Sequence, residues 1–262
     1  MRPYIGITDF RTKEQSLAML QVLREATASH IHRHRLAIGV MMSWPTLHGH
    51  PSSWAPAFAK NEEVADIFLP ESDVYDVLHY ADYKDRTTLE DLLLAREWGG
   101  PHLSAIQLDM TWPDPNFVHA FREKHPTIEI IIQANEKSFE LVGESPAAFV
   151  EKLREYGRSI DYVLLDKSMG RGLGMDAQSL LPFALAIEEH LSYLAIAAGG
   201  GLGPDTFHLV GPLAYALPGI SVDAQSQLRE SGSARDPINW DMAKIYLQRM
   251  ATYLAENQFD RR

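Results

Sequence analysis

Apolar and polar positions along this chain of 262 residues switch repeatedly between two periods. Short apolar runs bounded by turn residues read as buried strands at Tyr4–Thr8, Arg35–Ser43, Val74–Ala81, Leu103–Asp109, Thr127–Gln133, Ile160–Asp166, Leu191–Ala198 and Gly219–Asp223. The stretches between them carry helical spacing. Lys13–His30 places Leu17, Leu20, Leu23 and Ile31 on one face, and Asn61 caps a helix over Glu62–Leu69. Thr88 caps a helix to Trp98 that Gly99-Gly100-Pro101 stops, and Asn116–His125 follows. Ser145-Pro146 opens a helix to Gly157, with proline at the first helical position. Ala177–His190, a short helix within Asp205–Ala216, and Trp240–Asn257 complete the set. Strands alternating with helices predict an α/β fold with a parallel sheet. Eight such units in this length predict one closed (β/α)8 TIM barrel spanning residues 1–262, since these barrels typically take ~250 residues.

Charge and composition narrow the function. The chain has 24 basic against 35 acidic residues, a formal net charge of −11. That argues against a general surface for nucleic acid or an anionic membrane. There is no cysteine, which excludes disulfides, thiolate catalysis and Cys-ligated zinc. No apolar run approaches the ~20 residues of a membrane span, and the opening MRPYIGITDF enters a strand without a signal-peptide core. The expectation is a cytoplasmic protein, a monomer or homodimer, whose partner is a small-molecule substrate, phosphorylated or not. No G-x-G-x-x-G follows the first strand, so no nucleotide cofactor is expected.

Barrels carry their chemistry where the C-terminal strand ends meet. The sixth strand delivers Asp166 there, ahead of a loop with Gly170, Gly172 and Gly174. By strand alternation Asp9 shares a face with Ile5 and Ile7, Asp109 with Gln107, and Asp223 with Ser221. If those faces point inward, four aspartates crowd one mouth together with Gln107, Gln133 and Asn135. Crowded carboxylates separate into a general acid and a general base. Alternatively the ring binds a divalent cation and serves a metal-assisted lyase or hydrolase, or some of the aspartates merely cap loops. Gly172 and Gly174, with Gly200, Gly201 and Gly203 in the run Gly199–Pro204, offer backbone N–H groups to an anion. Asp223 would repel a phosphate if it faced that seat. His30, His32 and His34 read as imidazoles favoured by a helix C-terminus. His79 reads as a hydrogen-bonded core residue, and the Trp44/Trp54 loop as rim packing or a cover over the mouth. A non-catalytic protein would instead plug the mouth, with Trp44 or Met41 as the plug.

Several segments resemble the phosphoribosylanthranilate isomerase family of tryptophan biosynthesis. Tyr4–Thr8 is similar to its opening K-I-C-G-I-T strand, and Ile106–Asp109 to its V-Q-L-H. Leu164-Leu165-Asp166 with Gly172-Leu173-Gly174 resembles L-L-D…G-T-G, and Gly199–Pro204 resembles A-G-G-L-x-P. Gly219–Gln227 stands where the family has G-V-D-V-S-S-G-V-E, and Ser231–Asp236 resembles S-x-G-x-K-D. The resemblance implies a ribulose-phosphate-binding type of barrel and an Amadori rearrangement with Asp166 as the acid. The family's cysteine base falls on Ile5, which accepts no proton, so Asp9 or Asp109 is the expected base. Ser43–Leu47 supplies no cation like the family's K-S-P-R loop, and Asp223-Ala224-Gln225 replaces its S-S-G. The expected enzyme is a diverged isomerase acting on a sugar-like or sugar-phosphate metabolite, with Gln225, Gln107 and Gln133 contacting the ligand.

Overall fold

The computed structural model describes residues 1–28, 33–52, 54, 58–168 and 174–259. Eight parallel strands close into a barrel in sequence order. They are β1 (Tyr4–Thr8), β2 (Arg35–Ser43), β3 (Val74–Ala81), β4 (Ala105–Asp109), β5 (Glu129–Ala134), β6 (Tyr162–Leu165), β7 (Ala195–Ala198) and β8 (Ser221–Ala224). The helices are α1 (Lys13–Thr27), α2 (Trp44–Leu47), α3 (Val64–Ile67), α4 (Leu89–Gly99), α5 (Pro115–Lys124), α6 (Glu136–Leu141), α7 (Pro146–Arg154), α8 (Ala177–His190), α9 (Gly211–Ala216) and α10 (Trp240–Phe259).

Local signals set most boundaries. Thr12 with Gln15, and Thr88 with Asp91, form capping boxes that satisfy the first free amides of α1 and α4. Gly100 ends α4 at a φ of 67°, a conformation that costs glycine no Cβ clash. Asp176 accepts from the Ser179 amide and starts α8 at the expected residue. The helix expected over Glu62–Leu69 is instead a 3-10 turn, Asn61–Glu63, followed by the single turn α3, and Asn61 does not cap it. Two short helices, α2 and α6, were not anticipated.

Strand register sorts each side chain to one of two layers. Tyr4, Tyr75 and Tyr162 pack together inside the barrel at its N-terminal end, with ring centroids 5.4, 5.6 and 5.8 Å apart. Above them the interior is filled by Ala37, Val77, Ala105, Ile131, Leu164 and Ala197. The barrel is therefore packed through its middle and opens at its C-terminal end. Ile5 and Ile7 belong to the outer core, clustered with Met19, Leu20 and Leu247 of the helices. This corrects the face assigned to β1, whose inward residues are Tyr4, Gly6 and Thr8. Among the described residues no helix is long and apolar enough to cross a membrane.

Candidate active site

The mouth holds a cavity of about 370 Å³. Its floor is polar, formed by His79, Asp109, Gln133, Asn135, Asp166 and Gln225. One wall is apolar, from Met41, Pro45, Pro51, Trp54 and Phe58. The loop after β3 supplies Asp82, Tyr83, Lys84 and Arg86. Met41 lines this space without filling it, and Trp44 stacks beneath Arg86 at 4.0 Å. Among the described residues neither Met41 nor Trp44 plugs the mouth.

A hydrogen-bonded chain runs across the floor. Gln107 Nε2 donates to His79 Nδ1 at 3.1 Å and to Gln133 Oε1 at 2.8 Å. Gln133 Nε2 in turn donates to Asp166 Oδ2 at 3.4 Å. Because Nδ1 of His79 accepts, its Nε2 carries the hydrogen, and that hydrogen points at Asp109 Oδ2, 3.3 Å away. The Tyr83 hydroxyl closes on the same oxygen. Tyr83 is 58% exposed through its ring, while its hydroxyl reaches down into the mouth. Burial, and then the Asp109 charge, push the Tyr83 hydroxyl above its ordinary range, so it stays a donor.

Asp166 differs from Asp109 in its surroundings. It lies deep in the mouth with part of its carboxyl open to the cavity. Burial raises its pKa, the Asp109 charge adds to that, and the Ser168 amide at 2.8 Å and hydroxyl at 2.7 Å offset only part. Gly200, at a φ of 88°, lets the next loop pass over this carboxyl. A Cβ there would stand 2.4 Å from Asp166 Oδ1. The site thus holds a carboxyl whose pKa burial raises and a second carboxyl fed by two donors, joined through two amides and an imidazole.

The other expected residues fall elsewhere. Asp9 leaves its strand at a φ of 96° and is buried against the Arg229 guanidinium, with Gln225 Nε2 at 3.3 Å. Its carboxylate does not line the cavity, which corrects its candidacy as the base. Asp223 hangs inside the barrel, accepts from Thr8 Oγ1 at 3.1 Å, and borders a void of about 10 Å³. Burial pushes its pKa up to about 6, with His79 and Thr8 opposing the rise. The four aspartates therefore do not form one ring. Among the described residues no three His, Asp or Glu side chains stand close enough together to hold a metal ion. Gly174, Gly200, Gly201 and Gly203 do not line the cavity either. A Cβ on Gly203 would meet Gln227, and one on Gly174 would meet Leu209. Gly172, Gly170, His30, Ile31 and His32 lie outside the described residues. His34 is buried, with Nε2 at 3.0 Å from the Ile220 carbonyl, so it serves the fold rather than a helix end.

Several residues of the site carry no motif. Tyr83, Lys84 and Arg86 lie just past the end of β3, where the barrel rule alone would have drawn attention to them. Their loop is shaped by buried Asp82, which accepts from the amides of Lys84 at 3.1 Å, Arg86 at 2.6 Å and Thr87 at 2.9 Å. Burial would raise the Asp82 pKa, but these bonds together outweigh it and keep the group ionised. Arg229 gave no sequence signal at all. Burial lowers its pKa to about 10, which still leaves it charged opposite Asp9 at neutral pH.

No family model matches the chain, and no curated protein matches it. Among solved structures it is similar to the catalytic domain of a hyperthermophilic chitinase from Pyrococcus furiosus, at 9% identity and a TM-score of 0.55, over 99% of this chain and 97% of the other. It is also similar to the YdjI aldolase from Escherichia coli K12, at 12% identity and a TM-score of 0.52, over 99% of this chain and 94% of the other. These likenesses establish the fold: the chain is a (β/α)8 barrel.

Proposed function

We propose that the protein is an enzyme performing acid–base chemistry on a small polyhydroxylated metabolite, as an isomerase of the aldose–ketose or Amadori type. The observation that carries this reading is the unequal pair Asp109 and Asp166 on the floor of one cavity. Asp166 keeps a proton to deliver to a sugar-ring oxygen. Asp109, aimed by His79 and Tyr83, takes the proton from the neighbouring carbon. Gln133, Asn135 and Gln225 offer amides to hydroxyl groups. The two solved neighbours are catalytic barrels, which agrees with an enzyme but leaves the reaction open.

The resemblance to phosphoribosylanthranilate isomerase supports Asp166 as the acid, and this chain departs from it at the base. Ile5 packs against the helices, so neither its chemistry nor its direction serves the mouth. Asp109 fills the role from the opposite side of the barrel. The test is turnover of phosphoribosylanthranilate, followed by loss of its fluorescence. The expected result is turnover that Asp166→Asn and Asp109→Asn each lower by at least ~100-fold. Wild-type-like rates in either variant remove that residue from the mechanism. No turnover by the unmodified protein removes the isomerase assignment for this substrate.

A further inference from the structure

The charges around the mouth are unevenly placed. On the β7–β8 side, the Gly200 turn passes directly over Asp166 Oδ1, and Asp223 lies one strand further on. An anion seated on that turn would meet the Asp166 carboxyl. On the β3 side the cavity is lined by two cations. The Arg86 guanidinium is held by Asp82 through Nε at 3.3 Å and Nη2 at 3.1 Å, and is braced over Trp44. Lys84 is fixed by its amide on Asp82, and its ammonium makes no ion pair with another described residue.

We propose that the substrate carries an oxyanion group, bound at the β3 side of the mouth by the Lys84 ammonium and the Arg86 guanidinium. Its neutral body then lies along Trp54 and Phe58 and reaches Asp109 and Asp166. The proposal rests on the acid–base reading only for what happens at the floor. Anion binding itself is independent of turnover. Lys84 acts as a compact point charge that suits either a phosphate monoester or a carboxylate, and Arg86 adds planar donors. A buried Asp82 that accepts from the amides of Lys84, Arg86 and Thr87 holds this loop over the cavity before any ligand arrives, which lowers the ordering cost of binding.

The test is calorimetric titration of the full chain with D-ribose, D-ribose 5-phosphate and D-ribonate, repeated with Lys84→Met and Lys84→Arg. Tighter binding of one or both anionic sugars than of ribose is expected, with the phosphate and carboxylate arms identifying the group. Lys84→Met should weaken that anion by at least ~10-fold, the scale of one lost charged hydrogen bond. Lys84→Arg should restore most of it. An anionic advantage that survives in Lys84→Met overturns the proposal and places the anion on the glycine turn. Absence of any anionic advantage in the unmodified protein also overturns it, while the acid–base reading is judged separately by the titration of Asp166.

Discussion

Gly6 and Asp223 are fitted to each other across the β1–β8 seam. The Asp223 carboxyl occupies the space a side chain at residue 6 would need, since a Cβ there would lie 2.5 Å from Oδ1. The glycine resembling one in an isomerase strand here makes room for a buried acid. Gly6→Ala is expected to destabilise the fold by about 1–3 kcal/mol, the usual cost of overpacking. Adding Asp223→Ala should recover part of that loss. Denaturant unfolding of the two single variants and the double variant measures the coupling, and strict additivity would contradict the fit.

The Arg229–Asp9 pair anchors the loop after β8 to the end of β1. Both side chains are almost fully buried, and Arg229 also donates to the Asp236 carbonyl at 2.6 Å. Removing one partner strands a buried charge. Arg229→Met should cost ~3–5 kcal/mol, and Arg229→Met with Asp9→Asn should cost less than Arg229→Met alone. Thermal unfolding of the three proteins checks the order.

Asp76 gives the fold a pH dependence of defined sign. It faces outward from β3, is buried, and accepts from the Leu69 amide at 3.2 Å. Burial raises its pKa to about 8, with the Leu69 bond opposing. Its unfolded value is about 3.9. Below that pH both states hold the proton. Between the two values only the folded state does, so this contribution to stability falls as pH rises from about 4 to about 8. Asp76→Asn should therefore raise the melting temperature at pH 8, and the gain should shrink toward pH 4. A gain that grew on acidification would contradict this.

The direction of the amide chain fixes a tautomer. His79 should carry its hydrogen on Nε2, because Gln107 donates to Nδ1. Gln107→Glu would place a carboxylate beside Nδ1. It should move the hydrogen there, because a carboxylate accepts where the amide donated. Nitrogen-15 spectra of labelled histidine report the tautomer, and an unaltered His79 would show that the amide does not set it.

Much of the barrel was legible in the sequence because its strands are near-continuous apolar runs, buried on both faces. The first three strands match their expected ranges. The later ones were read as starting two to four residues early. Leu103, Ile128, Ile160, Leu194 and Ile220 are buried in the loops that enter β4 to β8, so hydrophobicity begins before the sheet does. Alternation correctly turned Asp109 and Asp166 inward, whereas Asp9 shares its face with Ile5 and Ile7, which turn outward against the helices rather than into the mouth. Tyr83, Lys84 and Arg229 were missed for another reason. They act through loop conformation and long-range pairing, which leave no local period.

On this account Asp166 is the site's proton donor, its pKa raised by burial and by the nearby Asp109. Carbon-13 titration of the aspartate carboxyls, assigned with Asp166→Asn, measures this directly. The account predicts that Asp166 titrates clearly above the ordinary carboxylate range, and that Asp109→Asn brings it down by removing the neighbouring charge. An Asp166 that titrates with the surface aspartates, unmoved by Asp109→Asn, would contradict the assignment of the acid.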